Sequence, residues 1–175
     1  MSYCTYVNSL KEGEQIEHKI YHDTQYGFPI DNDDELFGRL ILEINQAGLS
    51  WTTILKKVEN FRNAYSNFSI EKIASYNEKD FNRLMQDAGI IRNRLKINAA
   101  IYNANQILCL QKEFGSFKNW LDIHKSQGKL EWIKLFKKQF HFTGGEIVNE
   151  FLMSTGYLSG AHDADCWVLK NIKKI

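Results

Sequence analysis

Four side chains able to hold a soft metal ion stand near the two ends of the chain: Cys4 and His22 at the start, His162 and Cys166 in "AHDADCW" at the finish. The last two are four residues apart, which on a helical turn brings both side chains to one face, where they can chelate. Joined by Cys4 and His22 they would form a tetrahedral Cys2His2 site of thiolates and imidazoles suited to zinc. Four protein ligands leave no position for water, so such an ion would be a structural clasp and any chemistry would come from elsewhere. The opposite reading, solvated histidines and packed cysteines, stays open here, because residues so distant in sequence are not thereby neighbours in space. Cys109, in "NANQILCLQ", reads as helix core.

The second chemical feature is an acid in an apolar run. In "LILEINQAGLSW" a single carboxylate, Glu43, interrupts residues that otherwise read as core, and Trp51 follows. Glu43 on an apolar helix must face a ligand, a cap or solvent; the residues alone allow a carboxylate capping the helix that begins at Ser50, with Trp51 as core. The third feature is "FNRLMQDAGIIRNRLKINAA", where a helix ends near Gly89, two isoleucines turn, and a new helix begins with Arg92, Arg94 and Lys96 close behind. Backbone N–H groups of such a turn, around Gly89 and Ile91, and the N-terminus of the next helix can take a phosphate without reading a base. An ordinary pair of antiparallel helices with a solvated basic face is the alternative.

These residues need elements to carry them. A single proline, Pro29, and apolar residues at three- and four-residue spacing predict helices joined by short turns, with no strand alternation. The stretch 31–48 starts on capping acids and places Leu36, Leu40, Ile41 and Ile44 on one face. A single helix over 50–68, a short one in "SIEKIASY", two flanking "AGII", and about three more before a polar tail complete the expectation. With 175 residues, 43% hydrophobic and 13% aromatic, the chain is read as one domain, 1–175, with a real core. Twenty-two basic against 21 acidic residues give a formal charge of +1, so any polyanion site must be local. No apolar run approaches the roughly 18 residues that span a bilayer. No basic segment followed by an apolar stretch opens the chain, and the expectation is a cytoplasmic protein without membrane contact. An odd count of three cysteines argues against a disulfide framework.

Several stretches together resemble the DNA-3-methyladenine glycosylase I family of the helix-hairpin-helix superfamily: "YHDTQYGFP", "LEINQAGLSWTTILKKVENFR", "LMQDAGIIRNRLKI", "FHFTGG" and the terminal His-x3-Cys, in order and roughly at the family's spacing. The resemblance implies an all-α glycosylase fold with the hairpin unit at about 78–114 and a structural zinc clasp on Cys4, His22, His162 and Cys166. It also implies that Glu43 is the base-pocket acid, Trp51 a stacking ring and Tyr21 a pocket tyrosine. The expected substrate is 3-methyladenine in double-stranded DNA, and the protein is expected to act as a monomer. A methylated adenine is cationic and the normal base is not, so a partly buried carboxylate beside electron-rich rings would favour the lesion. Leu49, at the tip of "AGLS", is the candidate wedge for the gap left by a flipped base. No aspartate stands between Asp87 and Asp122 to act as a base after the hairpin, and Lys96 is read as a phosphate contact, so the expected enzyme is a monofunctional hydrolase. Departures from the family pattern are His18 for a tyrosine, Tyr26 for a tryptophan, "EIN" after the helix's apolar run, a short segment between Phe114 and Phe140, and an acid at Glu146. Two rival readings are a non-catalytic zinc-clasped DNA-binding module and a hydrolase with an open zinc site.

Overall fold

The computed structural model describes residues 1–172, and every regular element among them is helical. Two helices precede the first one anticipated from the sequence: α1 (Tyr3–Ser9), capped by the Ser2 hydroxyl, and α2 (Ile16–Thr24). The central element is α3 (Asp33–Gln46), whose Asn32 side chain accepts from the Glu35 N–H at 3.0 Å. Its first-turn acids favour the positive end of the helix dipole and also tie neighbours in. Asp33 accepts from the N–H groups of Phe117 and Lys118, and Asp34 from that of Ile70. Leu36, Leu40, Ile41 and Ile44 are all buried, as their spacing predicts. Gly38 is required for packing: a Cβ there would lie 2.4 Å from the Phe68 ring.

The single helix expected over 50–68 is instead α4 (Trp51–Leu55), α5 (Val58–Ala64) and a 3-10 turn (Ser66–Phe68). Lys57 leaves helical geometry, and its ammonium donates to the carbonyls of Ala88 and Gly89 at 3.3 and 3.1 Å. Ser66, Asn67 and Phe68 all take left-handed φ angles, which carries the Phe68 ring onto Gly38 and under the Arg62 guanidinium. The remaining helices are α6 (Ile70–Ala74), α7 (Glu78–Gln86), α8 (Arg94–Phe114), α9 (Phe117–Ile123), α10 (Lys129–Gln139), α11 (Gly145–Ser154) and α12 (Trp167–Ile172).

The tail read as polar thus contains a helix, whose Val168 packs with Cys4 and Cys166 in a small apolar cluster. Cys109 is exposed, not core: the buried face of α8 runs through Ile97, Ala100, Ala104, Ile107 and Leu110, and Cys109 falls on the other side. Aromatic rings from α9, α10 and α11, among them Phe117, Trp120, Phe136 and Phe151, fill the core beneath α3. No helix of the described residues is long and apolar enough to cross a membrane.

Candidate active site and metal centre

The C-terminal half of α3 forms one wall of a cavity of about 320 Å³, a size suited to a small ligand. Glu43 and Gln46 come from α3, Tyr3 from α1, Tyr21 from α2, Tyr26 from the turn after it, Trp51 from α4 and Glu150 from α11. The rings are packed edge to face: Tyr21 lies 5.2 Å from Trp51 and Tyr3 5.2 Å from Tyr26. Glu43 is only 4% exposed and Tyr21 equally so. The capping alternative for Glu43 fails, because the Ser50 hydroxyl itself caps α4 by accepting from the Thr53 N–H.

Burial is the main reason that the Glu43 carboxyl is pushed up to about 8; the Arg39 guanidinium on the same helix works against this, and the Glu150 carboxylate adds to it. Arg39 is itself buried and donates to the Tyr21 hydroxyl at 3.1 Å and to the Ser154 carbonyl at 3.2 Å. It therefore fixes the Tyr21 ring from behind. His18 lies outside the cavity lining: its ring nitrogens meet the Tyr3 hydroxyl at 2.9 Å and Thr52 Oγ1 at 2.8 Å, so it orients Tyr3, which does line the cavity.

Beside this cavity the four metal-ligand candidates come together. Their ligand atoms lie within 4.8 Å of one another and all four residues are buried. Cys4 Sγ is 3.3 Å from His22 Nε2 and 3.5 Å from His162 Nδ1; Cys166 Sγ is 3.8 and 3.6 Å from the same two nitrogens. The outer nitrogens are engaged as well: His22 Nδ1 meets Asp23 at 2.8 Å, and His162 Nε2 meets the Tyr26 carbonyl at 2.7 Å. Such partners fix the tautomer of a metal-ligating imidazole. The group could hold a metal ion. It also adjoins the pocket, because three of its members, Cys4, His22 and His162, are chain neighbours of the pocket residues Tyr3, Tyr21, Ala161 and Asp163.

Leu49 is 39% exposed at the tip between α3 and α4, where Gly48 takes a φ of 82°. Gln46 grips this tip, accepting from the Leu49 N–H at 2.7 Å through its backbone and donating to the Leu49 carbonyl at 3.2 Å through its side chain. The hairpin joins α7 to α8, and α7 stops at Gln86, before Gly89. The Gly89 N–H is taken by the Asp87 carboxylate at 2.7 Å, whereas those of Ile91 and Arg92 reach no acceptor among the described residues. Arg92 is exposed. Lys96 corrects the sequence reading. It is 4% exposed, and its ammonium donates to the carbonyls of Asn45 and Ala47 at 2.9 and 2.7 Å, so it caps the C-terminus of α3 and does not face a phosphate.

A family model described as methyladenine glycosylase matches residues 12–169. The chain belongs to this family. It is 34% identical over 173 residues to the DNA-3-methyladenine glycosylase of Haemophilus influenzae, covering 88% of this chain and 93% of that relative. Its structure is similar, with a TM-score of 0.84 and 29% identity, to a tyrosine-to-phenylalanine variant of 3-methyladenine DNA glycosylase I in complex with 3-methyladenine, covering 96% of this chain and 97% of that one. The 3-methyladenine DNA glycosylase I of Staphylococcus aureus gives a TM-score of 0.80 at 31% identity, covering 87% and 90% of the two chains.

Within this methyladenine glycosylase, Glu43, Tyr21 and Trp51 meet in one cavity, while Leu49 and the hairpin lie outside its lining. Sequence reasoning missed Tyr3, Arg39 and Glu150. Tyr3 had a signal, since it adjoins the predicted ligand Cys4. Glu146, the acid singled out from the sequence, is exposed and does not line the cavity; Glu150, one turn later on α11, does.

Proposed function

We propose that this protein is a DNA glycosylase that hydrolyses the N-glycosidic bond of 3-methyladenine in alkylated DNA. The observation that carries the reading is a buried carboxylate, Glu43, in the wall of a cavity otherwise built from tyrosine and tryptophan rings, in a chain of the methyladenine glycosylase family. The flipped, cationic base stacks against Trp51 and Tyr21, and Glu43 accepts its polarised N–H edge. Leu49 fills the place it leaves in the duplex. Cleavage sends the C1′–N electron pair to the base, which departs as neutral 3-methyladenine; water adds at C1′ and loses a proton. The leaving group needs no strong acid, because departure cancels its own charge. The enzyme supplies binding, orientation and negative potential near the developing sugar cation. The exposed Arg92 and the free amides of Ile91 and Arg92 are the backbone-phosphate contacts in this reading.

The metal in this reading is zinc, held by Cys4, His22, His162 and Cys166. With Zn–S about 2.3 Å and Zn–N about 2.0–2.1 Å, a tetrahedral site has S–N edges of about 3.5 Å. The separations of 3.3–3.8 Å fit that shell. A filled Cys2His2 shell supplies stability and no Lewis acid to the reaction, which disfavours a zinc hydrolase. The protein is further proposed to be monomeric and cytoplasmic. Incubation with methylated duplex DNA and chromatography of the soluble bases tests the function: free 3-methyladenine is expected, and tight DNA binding without release would make the chain a binding module.

A further inference from the structure

Glu150 lines the same cavity as Glu43 but comes from α11, and nothing in the packing of that helix calls for an acid there. The residues that α11 buries are Val148, Phe151, Leu152 and Ser154. The half-buried carboxylate has two weak contacts: the Tyr26 hydroxyl donates to one oxygen at 3.4 Å and the Asn149 amide to the other at 3.5 Å. Both lie at the outer limit of a hydrogen bond. Among the described residues no lysine, arginine or histidine forms an ion pair with it. Burial pushes its pKa up, with Tyr26 and Asn149 acting in the opposite sense. The Lys129 charge opposes that shift from a distance without pairing with the acid, and an anion held in a partly dry cavity with no direct counter-charge is costly unless a ligand supplies one. Glu43, in the same cavity, has its charge opposed by the same acid.

We infer that Glu150 is a second specificity-determining carboxylate of the base pocket, so that a cationic base is met by acids from two helices and not by Glu43 alone. The inference rests on the reading that this pocket takes an alkylated adenine. Two carboxylates in one cavity repel each other, and a positively charged purine relieves that repulsion while a neutral purine of the same shape does not. The second acid therefore sharpens discrimination by charge, independently of the stacking rings, which attract either base.

Calorimetric binding of two small probes separates charge from shape. 3,9-Dimethyladeninium carries a fixed positive charge and 9-methyladenine is a neutral purine of similar size. Glu150→Gln is expected to lower the preference for the cation by roughly three- to thirtyfold, with 9-methyladenine binding within about twofold of the parent, and Glu150→Asp is expected to keep most of the preference. Glu150→Ser makes the same comparison should the glutamine variant not fold. An active parent whose folded Glu150→Gln or Glu150→Ser variant retains the full preference overturns the inference alone. A parent that releases no 3-methyladenine from methylated DNA overturns the pocket reading and this inference with it.

Discussion

Glu43 is an acid kept where the surrounding helix is apolar, and its burial makes it a liability to the fold unless a ligand uses it. Replacing it with Gln keeps the shape and one accepting oxygen but removes the charge. Release of 3-methyladenine should then fall by roughly 10- to 100-fold, about 1.4–2.7 kcal/mol. Parental rates from a well-folded variant would remove the carboxylate from recognition. The same residue sets a pH dependence. Its folded pKa of about 8 lies above the ordinary 4.5, so between those values the native state keeps a proton that the unfolded chain has lost. Stability contributed by Glu43 is therefore complete below about pH 4.5 and is lost as pH rises through about 8. Glu43→Gln should match the parent's melting temperature near pH 4.5 and exceed it at pH 8.5; parallel melting profiles across that range would contradict this. Base excision should move the other way, increasing as Glu43 ionises. Glu43, Tyr21 and Trp51 were legible in the sequence, because they sit in recognisable stretches. Arg39 and Glu150 were not, since facing a common cavity depends on how α2, α3 and α11 pack, and Glu146 offers the same residue type one turn away on α11.

At the scale of elements, the hairpin and the Leu49 tip are physically joined by Lys96. It sits in the first turn of α8, just past the hairpin, and holds the carbonyls of Asn45 and Ala47 at the end of α3, immediately before Gly48 and Leu49. In the proposed reading, DNA docked on the hairpin would meet a wedge, Leu49, whose position is set from α8. Lys96→Met should leave the salt dependence of DNA binding unchanged, cost about 1–3 kcal/mol of stability by stranding two carbonyls, and slow base release more than it weakens binding. Arg92→Ala should do the reverse: little change in melting temperature, weaker binding to all sequences alike, and a salt slope reduced by about one. A Lys96→Met slope as shallow as that of Arg92→Ala would return Lys96 to the phosphate contacts. Helical periodicity found α3 and α8 because each has a long apolar stripe, and α7 through the spacing of Phe81, Leu84 and Met85. It missed α2 because that helix buries His18, Tyr21 and His22 while Ile16 and Ile20 face solvent, and it ran α4 and α5 together because the contacts at the break, from Lys57 to the hairpin carbonyls, are distant in sequence. Cys109 misled for a simpler reason: its residue type suggested burial, and only the phase of α8 puts it outside.

Across the whole molecule, segments near the two chain ends meet at the Cys2His2 cluster, and that cluster lies behind the residues that line the pocket. Cys4 adjoins Tyr3, His22 adjoins Tyr21, and His162 lies between Ala161 and Asp163, all four of these neighbours lining the cavity. The His162 ring also holds the Tyr26 carbonyl, so one imidazole spans the Cys2His2 cluster and a pocket residue. An ion here would do more than stabilise: it would set the spacing of the rings that receive the base, while the hairpin, carried by α7 and α8, stays independent of it. Cys166→Ala should therefore lower zinc from about one per chain and depress the melting temperature by about 5–15 °C, the shift expected for a loss of about 2–4 kcal/mol in a chain of this size. Below that melting temperature the variant should still bind duplex DNA with the parental salt slope, yet bind 3-methyladenine poorly, because Tyr3 and Tyr21 are no longer held in register. Elemental analysis, thermal melting and the two binding measurements on one preparation decide the matter. Zinc-free parent protein, or a Cys166→Ala variant with parental melting and base binding, would reduce the cluster to ordinary packing of the chain ends.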